Sequence, residues 1–377
     1  MENNNSVCYV ARINEIKEIP GADNIEQAIV GGWSCITKKG KYNNNDLVII
    51  ATTDAIIPEK LSDEMGVTSY LRKGGRLRTV KLKKVYSECL IMSPESLGLD
   101  SSQLKEGKDM MEKLGIYKYE PPVKQIQLDS GKKIRYQYNP NFLVYYKFPN
   151  LKNVSGMFTE EDTVEITRKI HGTSSRYGIV KKSKLSFLDK VKKFFRLTDE
   201  YYEYEFVVGS HNVEKGSDSQ GFYNTNVWYE IADKYKIKEK LWNYVKIHLS
   251  LDELGSGIVI YGEIYGAGIQ KNYDYKLKDI EFAGFDIMEN GEYLSTLNTM
   301  LVLGTIMNLP HVPILYTGKW SQEIQDSFVF NNFIDGTKIP HEGIVIKHVS
   351  GERNKIAKVI NPSYLIYGEK YDVGDSH

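Results

Sequence analysis

Residues 164–180, VEITRKIHGTSSRYGIV, set Lys169 at the end of an alternating apolar and polar run, with Ile170-His171-Gly172 directly after it. A lysine in that place is either a solvated strand end or a nucleophile. Strict alternation marks a half-buried strand, and the glycine begins a turn into a second alternating run, so this stretch predicts a hairpin of two strands. The opening run, TVEIT, is followed downstream by similar ones: EFVVG, GIVIYGEI, IEFAGFDI, GIVIKHV and KIAKVI. Between them lie the longer helical patterns NVWYEIADKYKIKEKLWNYVKIHL, LSTLNTMLVLGTIM and SQEIQDSFVFNNFI. Strands interspersed with helices over more than half of the chain predict an α+β domain of sheets with flanking helices.

Upstream the text changes character. Short segments such as CYVARINEI, IEQAIVGG, SCITKKG, DLVIIAT, RLRTVKLKKV and ECLIM are separated by Gly, Asn and Pro turns. Regular short strands of this kind predict a small β-barrel or sandwich. A length of 377 residues fits about two domains. The expected boundary lies near Glu120, giving residues 1–119 and 120–377. The stretch EPPVKQIQLDSGKKIRYQYNPNFLVYYKFPN lacks periodicity and reads as a linker.

Lys plus Arg and Asp plus Glu number 49 each, so attraction to a polyanion must come from local patches. One such patch is Arg72, Lys73, Arg76, Arg78, Lys81, Lys83 and Lys84 in the leading domain, either a backbone clamp for nucleic acid or an exposed basic hairpin. Another is KKSKLSFLDKVKKFFRL, residues 181–197, where lysines interleave with Phe187, Phe194 and Phe195. That pattern fits a grip on phosphates and bases, and equally an amphipathic helix that packs its apolar side inward. Cys8, Cys35 and Cys89 are odd in number and lack metal-type spacing, which favours a reducing, cytoplasmic setting over a disulfide scaffold. No run approaches the roughly 20 apolar residues of a membrane span, and the absence of heptads favours a monomer.

The motif KIHG around Lys169 is followed in order by VIYGEIYG with Glu263, FAGFDIM with Phe282 and Phe285, HEGIVIK with Glu342 and Lys347, and NKIAKVI with Lys355 and Lys358. This succession resembles the ordered motifs of covalent nucleotidyltransferases, the superfamily of ATP-dependent ligases and mRNA capping enzymes. KIHGT is close to nick-sealing phage-type RNA ligases, whereas DNA ligases usually show Asp in place of His171. The leading text IPGADNIEQAIVGGWSCITKKGKYNNNDLVIIATTDAIIPE resembles the N-terminal OB-like domain of RNA ligases of the Deinococcus radiodurans and Naegleria gruberi type. Only 19 residues follow Lys358, too few for the trailing OB-fold of DNA ligases and capping-type guanylyltransferases, which are the alternatives within enzymes. A non-catalytic OB-fold nucleic-acid-binding protein is the alternative of another class.

The resemblance implies an OB-like barrel followed by an ATP-grasp-like ligase domain of antiparallel sheets, using ATP and Mg²⁺ or Mn²⁺. It implies an RNA partner bearing a 3'-hydroxyl and a 5'-phosphate, in a nicked duplex or structured RNA. Lys169 is then the nucleophile, with His171, Lys355 and Lys358 as further catalytic groups. Gly172, Arg176, Glu263, Phe282, Phe285, Glu342, Lys347 and Lys358 line the nucleotide, and Glu263 and Glu342 hold the metal. An adenine face invites an aromatic partner, Phe282 or Phe285, and alternation does not choose between them. The chain departs from its relatives at Arg168, where they often carry Glu, at Ser174, where they carry Asn, and at Ser210-His211-Asn212, where they present an arginine.

Overall fold

The computed structural model describes residues 6–119, 139–154, 156–195, 201–216 and 225–373. Residues 120–138, most of the expected linker, lie outside them. The chain divides into two compact units, one of residues 1–122, 149–159 and 357–369, the other of 123–148, 160–356 and 370–377. Segments 149–159 and 357–369, which sequence reasoning gives to the second domain, therefore pack with the first.

The first unit contains β1 (Cys8–Glu18), β2 (Ile25–Val30), β3 (Trp33–Lys38), β4 (Leu47–Thr52), β5 (Ala55–Ile56), β6 (Val80–Leu82), β7 (Val85–Ser87), β8 (Cys89–Met92) and β9 (Tyr117–Lys118). Five of them form a sheet of order β3-β2-β1-β4-β8. Its two ends meet, because the Glu88 N–H donates to the Ser34 carbonyl at 2.8 Å and the Ile36 N–H to the Ser87 hydroxyl at 3.0 Å. Bonds between the outer strands remove the free edges that an open sheet would expose. Ile13, Val30, Trp33, Val48 and Ile50 fill the interior. Ile49 and Ala51, on the other face of β4, pack with Leu77, Met92 and Met110. Burial on both faces explains why LVIIAT reads as a continuous apolar run rather than an alternating one.

The second unit holds β10 (Thr163–Lys169), β11 (Thr173–Lys181), β12 (Tyr204–Gly209), β13 (Glu214–Lys215), β14 (Gly257–Gly266), β15 (Ile280–Glu289), β16 (Glu292–Tyr293), β17 (Ile314–Lys319) and β18 (Gly343–His348). β19 (Ile356–Ile360) starts at the last residue of segment 160–356 and runs on into 357–369. A six-stranded antiparallel sheet has the order β13-β12-β11-β14-β15-β16. In a smaller sheet, β10 lies between β17 and β18, antiparallel to both.

One face of the larger sheet, with Tyr177, Ile260 and Phe282, packs on Trp228, Ile231, Leu241 and Val245. The helical text 226–249 is not one helix. It breaks at Lys236, whose left-handed backbone (φ 53°) separates Val227–Lys234 from Ile237–His248. The opposite face, covered by the smaller sheet, carries the polar groups described next.

Candidate active site

Strand pairing delivers three charged groups to one place. β10 and β18 pair with Lys169 opposite Gly343, so Glu342, one residue before that glycine, emerges beside the lysine. The Lys169 Nζ lies 2.6 Å from Glu342 Oε1. Both ends are partly screened, with side chains 25% and 11% exposed, so the amine remains reachable while the carboxylate is nearly enclosed. Glu263 enters from β14, where it pairs with Ser174 of β11. The residue is half-buried as a whole, but its carboxylate end is enclosed. Burial, reinforced by the like charge of Glu342, pushes this carboxyl up to about 8, against the opposing pull of Lys169 and of a hydrogen bond from the Gly172 backbone. Gly172 is needed here for closeness: a Cβ would collide with the Ile264 carbonyl and come within 2.9 Å of Glu263 Cγ.

His171 is buried. Its backbone N–H donates to the Tyr275 hydroxyl at 2.6 Å, and its ring meets Tyr273 edge-on, centroids 5.1 Å apart at 86°. The Tyr273 hydroxyl donates to the Pro340 carbonyl at 2.6 Å, and the Gln270 amide donates to the Gly172 carbonyl. Residues 270–275 thus bracket the loop after Lys169 and the approach to Glu342. Sequence reasoning misses this bracket. Its only trace is the tyrosine spacing in NYDYK, and the left-handed backbone at Asn272, Tyr275 and Lys276 has no glycine to announce it.

The two phenylalanines separate cleanly. Phe282 is fully buried on the helix-covered face, edge-on to Tyr177 at 5.7 Å, and Gly262 makes room for its ring. Phe282 is core, which corrects its candidacy for the nucleotide. Phe285 lies at a β-bulge: Tyr261 pairs with Asp286 and Gly262 with Gly284, leaving Phe285 without an opposite number. A bulge shifts the alternation by one residue. Phe285 shares the face of Ala283 and Glu263 by plain alternation, and the bulge brings Asp286 to that face as well; Phe285 stays half-buried there among Tyr145, Ala283 and Met300.

Lys347 is neither solvated nor open to a ligand. It is 4% exposed, and its Nζ donates to the Phe285 carbonyl at 2.9 Å and to Asp286 Oδ2 at 3.2 Å. The same carboxylate oxygen accepts from Arg353 Nη1 at 2.7 Å and the Tyr145 hydroxyl at 2.9 Å. Lys347 therefore pins the bulge rather than meeting a phosphate, a correction that follows from its burial.

A family model for RNA ligase matches residues 162–360, which is 199 of the 377 residues. The chain belongs to the RNA ligase family. A model of an OB-fold domain matches residues 7–94, and the antiparallel sheets of the second unit complete the expected α+β class. Among solved structures, the chain is similar to Naegleria gruberi RNA ligase with PPi (TM-score 0.69, 23% identity, 97% of this chain and 99% of that one). It is also similar to a lysine-to-alanine mutant of the same ligase with ATP and Mn (0.70, 23%, 96% and 99%). A third similar structure is a glutamate-to-alanine mutant with AMP and Mn (0.70, 23%, 97% and 99%). At that identity the likeness establishes a shared fold. No curated protein sequence matches the chain.

Within this RNA ligase, the remaining candidate residues fall elsewhere. Arg176 is fully buried, donates to the Ser210 and Phe142 carbonyls at 2.8 Å each and lies 4.2 Å from the Phe142 ring centroid. It braces the Ser210-His211-Asn212 segment from within. Lys355 pairs with Asp162, just before β10, whereas Lys169 ends that strand roughly 20 Å away at about 3.3 Å per residue. This corrects its assignment to catalysis. Lys358 belongs to segment 357–369 of the first unit, where its N–H donates to the Pro149 carbonyl at 3.0 Å. In the leading patch, Arg72 and Arg78 pair with Glu369 at 3.3 and 2.7 Å. Arg76 pairs with Asp54 and lies 3.9 Å from the Tyr119 ring centroid. The three arginines are thus engaged internally. Lys73, Lys81, Lys83 and Lys84 are the exposed members, the last two forming the left-handed turn between β6 and β7.

Proposed function

We propose that this RNA ligase uses ATP and a divalent metal to join a 3'-hydroxyl to a 5'-phosphate, acting on nicked duplexes or structured RNA with RNA on the 3'-hydroxyl side, in a cytoplasmic setting. The observation that carries this reading is the convergence of the Lys169 amine on Glu342, 2.6 Å away, beside the enclosed Glu263 carboxyl. Lys169 attacks the α-phosphorus of ATP in line with the departing pyrophosphate and becomes a lysyl-AMP phosphoramidate. AMP then passes to the RNA 5'-phosphate, and attack by the 3'-hydroxyl releases it.

The resting ion pair bears on the first step. A carboxylate at 2.6 Å favours the ammonium form of Lys169, and attack needs the neutral amine. Two adjacent carboxylates, one held protonated by burial and its neighbour's charge, are a donor set that suits a hard divalent cation, with substrate oxygens completing the shell. Bound there, Mg²⁺ or Mn²⁺ supplies positive charge at the α-phosphate. Glu342 would be one of its ligands and is also the carboxylate that faces the Lys169 amine. His171, locked by Tyr275 and Tyr273, fixes the loop that positions Lys169, and Phe285 offers a half-buried ring to adenine.

Incubation with α-labelled ATP and Mg²⁺, followed by denaturing electrophoresis, tests the reading. Label is expected on the wild-type band, and Lys169→Ala is expected to lose at least about 10⁴-fold in rate, as nucleophile removal does elsewhere. A folded wild type that takes no label contradicts the proposal. Nicked duplexes that differ only in the sugar bearing the 3'-hydroxyl then test the preference for RNA.

A further inference from the structure

The insertion between β11 and β12 forms a helix, Phe187–Phe194, that stands the wrong way round. Ser186 and Asp189 form its capping box, and Asp189 also takes Lys182 at 3.2 Å, while Lys193 reaches Glu203 at 3.4 Å. The charged side is thereby tied to the body of the protein. Phe187, Phe194 and Phe195 point to solvent instead, 79%, 82% and 63% exposed. For these three rings, the reading of an amphipathic helix that packs its apolar side inward, one of the two for this stretch, does not hold. Lys184 and Lys190 beside these rings are exposed and make no ion pair among the described residues.

We propose that this helix binds the RNA strand that flanks the break, its phenylalanines stacking on unpaired bases and Lys184 and Lys190 meeting phosphates. The inference rests on the RNA ligase reading of the Lys169 site and names a second contact for the same substrate. Aromatic rings stack on any base, at roughly 1–3 kcal/mol each, and lysines follow the backbone. Phe194 and Phe195 are edge-on to each other, with centroids 5.2 Å apart at 88°, so the pair offers faces in two directions to a splayed single strand.

Magnitude favours RNA over a lipid surface. A myristoyl chain alone gives only marginal membrane binding, and Phe187, Phe194 and the C-cap Phe195 bury no more than that. An RNA already held at Lys169 meets the helix at high effective concentration, so a weak contact suffices. β11 sets the distance. Its nine residues run from Thr173, next to the Lys169 loop, to Lys181 at the start of the insertion, about 26 Å at 3.3 Å per residue. A stacked strand with roughly 3.4 Å per nucleotide covers this in on the order of eight nucleotides.

The test uses the full chain and broken RNAs whose unpaired flanks are graded from two to about twenty nucleotides, a range that brackets the span above. For wild type, kcat/KM for sealing is expected to rise about tenfold once the flank passes that span. The triple variant Phe187→Ser, Phe194→Ser, Phe195→Ser is expected to lose this rise through KM, with self-adenylylation unchanged. The corresponding triple Leu variant keeps the apolar surface and removes the ring faces, and it is expected to lose the rise as well; Tyr variants are expected to retain it. Lys184→Glu with Lys190→Glu is expected to reduce it and to weaken its salt dependence.

A wild type that adenylylates and seals without dependence on flank length overturns this inference and leaves the proposed function standing. A wild type that does not adenylylate overturns the proposed function itself. Retention of the rise by the Leu variants overturns stacking. Phenylalanine-dependent binding to phosphatidylserine vesicles, or phenylalanine-dependent dimerisation, with sealing unaffected by the Ser triple, assigns the face to a membrane or to a second copy and overturns the RNA contact.

Discussion

The two faces of the six-stranded sheet are built from the same strands and do opposite work. On one, Phe282, Tyr177 and Ile260 lie under two helices in an apolar cluster, with Glu289 at its margin accepting from the Tyr244 hydroxyl. On the other, Glu263, Phe285 and Asp286 lie beside the smaller sheet and Arg176 lies under Phe142 and Ser210, each polar group held by a named partner or by its neighbours' charge. Phe282 and Phe285, three positions apart, fall on opposite faces by plain alternation, and a single bulge then turns Asp286 onto the face of Phe285. The lesson is that a motif's residue types locate a site, while the local count of residues per strand decides which of them reach it.

Four measurements break or sharpen that contrast. Phe282→Ala is expected to cost about 3–5 kcal/mol of stability through the cavity it leaves, while adenylylation per folded molecule stays close to wild type; denaturant unfolding paired with active-site titration checks both halves. Lys347→Met removes one partner of a buried pair, a change that costs about 3 kcal/mol or more. It should also release the bulge, so the KM for ATP is expected to rise along with the loss of stability, although Lys347 lies remote from the reacting atoms. Phe285→Ala should do the converse of Phe282→Ala: little change in melting temperature and a rise of about tenfold in KM for ATP, the roughly 1.4 kcal/mol of one stacked ring.

The smallest effect concerns pH. The Glu263 carboxyl is raised from 4.5 to about 8 in the folded chain, so the folded state keeps a proton that the unfolded state has already lost. Its contribution to stability is complete below about pH 4.5, declines as the pH rises and is gone above about 8. Metal-free wild type is therefore expected to lose melting temperature across that window, and Glu263→Gln to show a shallower decline. Added Mg²⁺ is expected to stabilise wild type more at pH 8 than at pH 6, because the metal competes with this proton.

Much of this was legible in the sequence for identifiable reasons. Alternating text gave the strands of both units, and the ordered motifs pointed to Lys169, Glu263 and Glu342, which the structure gathers at one end of the two sheets. The failures have physical causes as well. Lys355 sits three residues before Lys358 in a matching motif, yet Asp162 holds it at the far end of β10. Arg176 and Lys347 carry charges that suit a phosphate, but burial and internal carbonyl or carboxylate partners engage them first. The helix at 187–194 has a pattern that never states which side faces out; the body's own Glu203 and Lys182 decide that. The tyrosine bracket at 273 and 275 rests on backbone conformations that composition does not encode.

The pairing of Lys169 with Glu342 has one more consequence. Aldehydes, acyl phosphates and other stray electrophiles attack free amines, and a protonated nitrogen clasped by a carboxylate offers them no lone pair. On the proposed reading the resting enzyme keeps its most reactive atom capped.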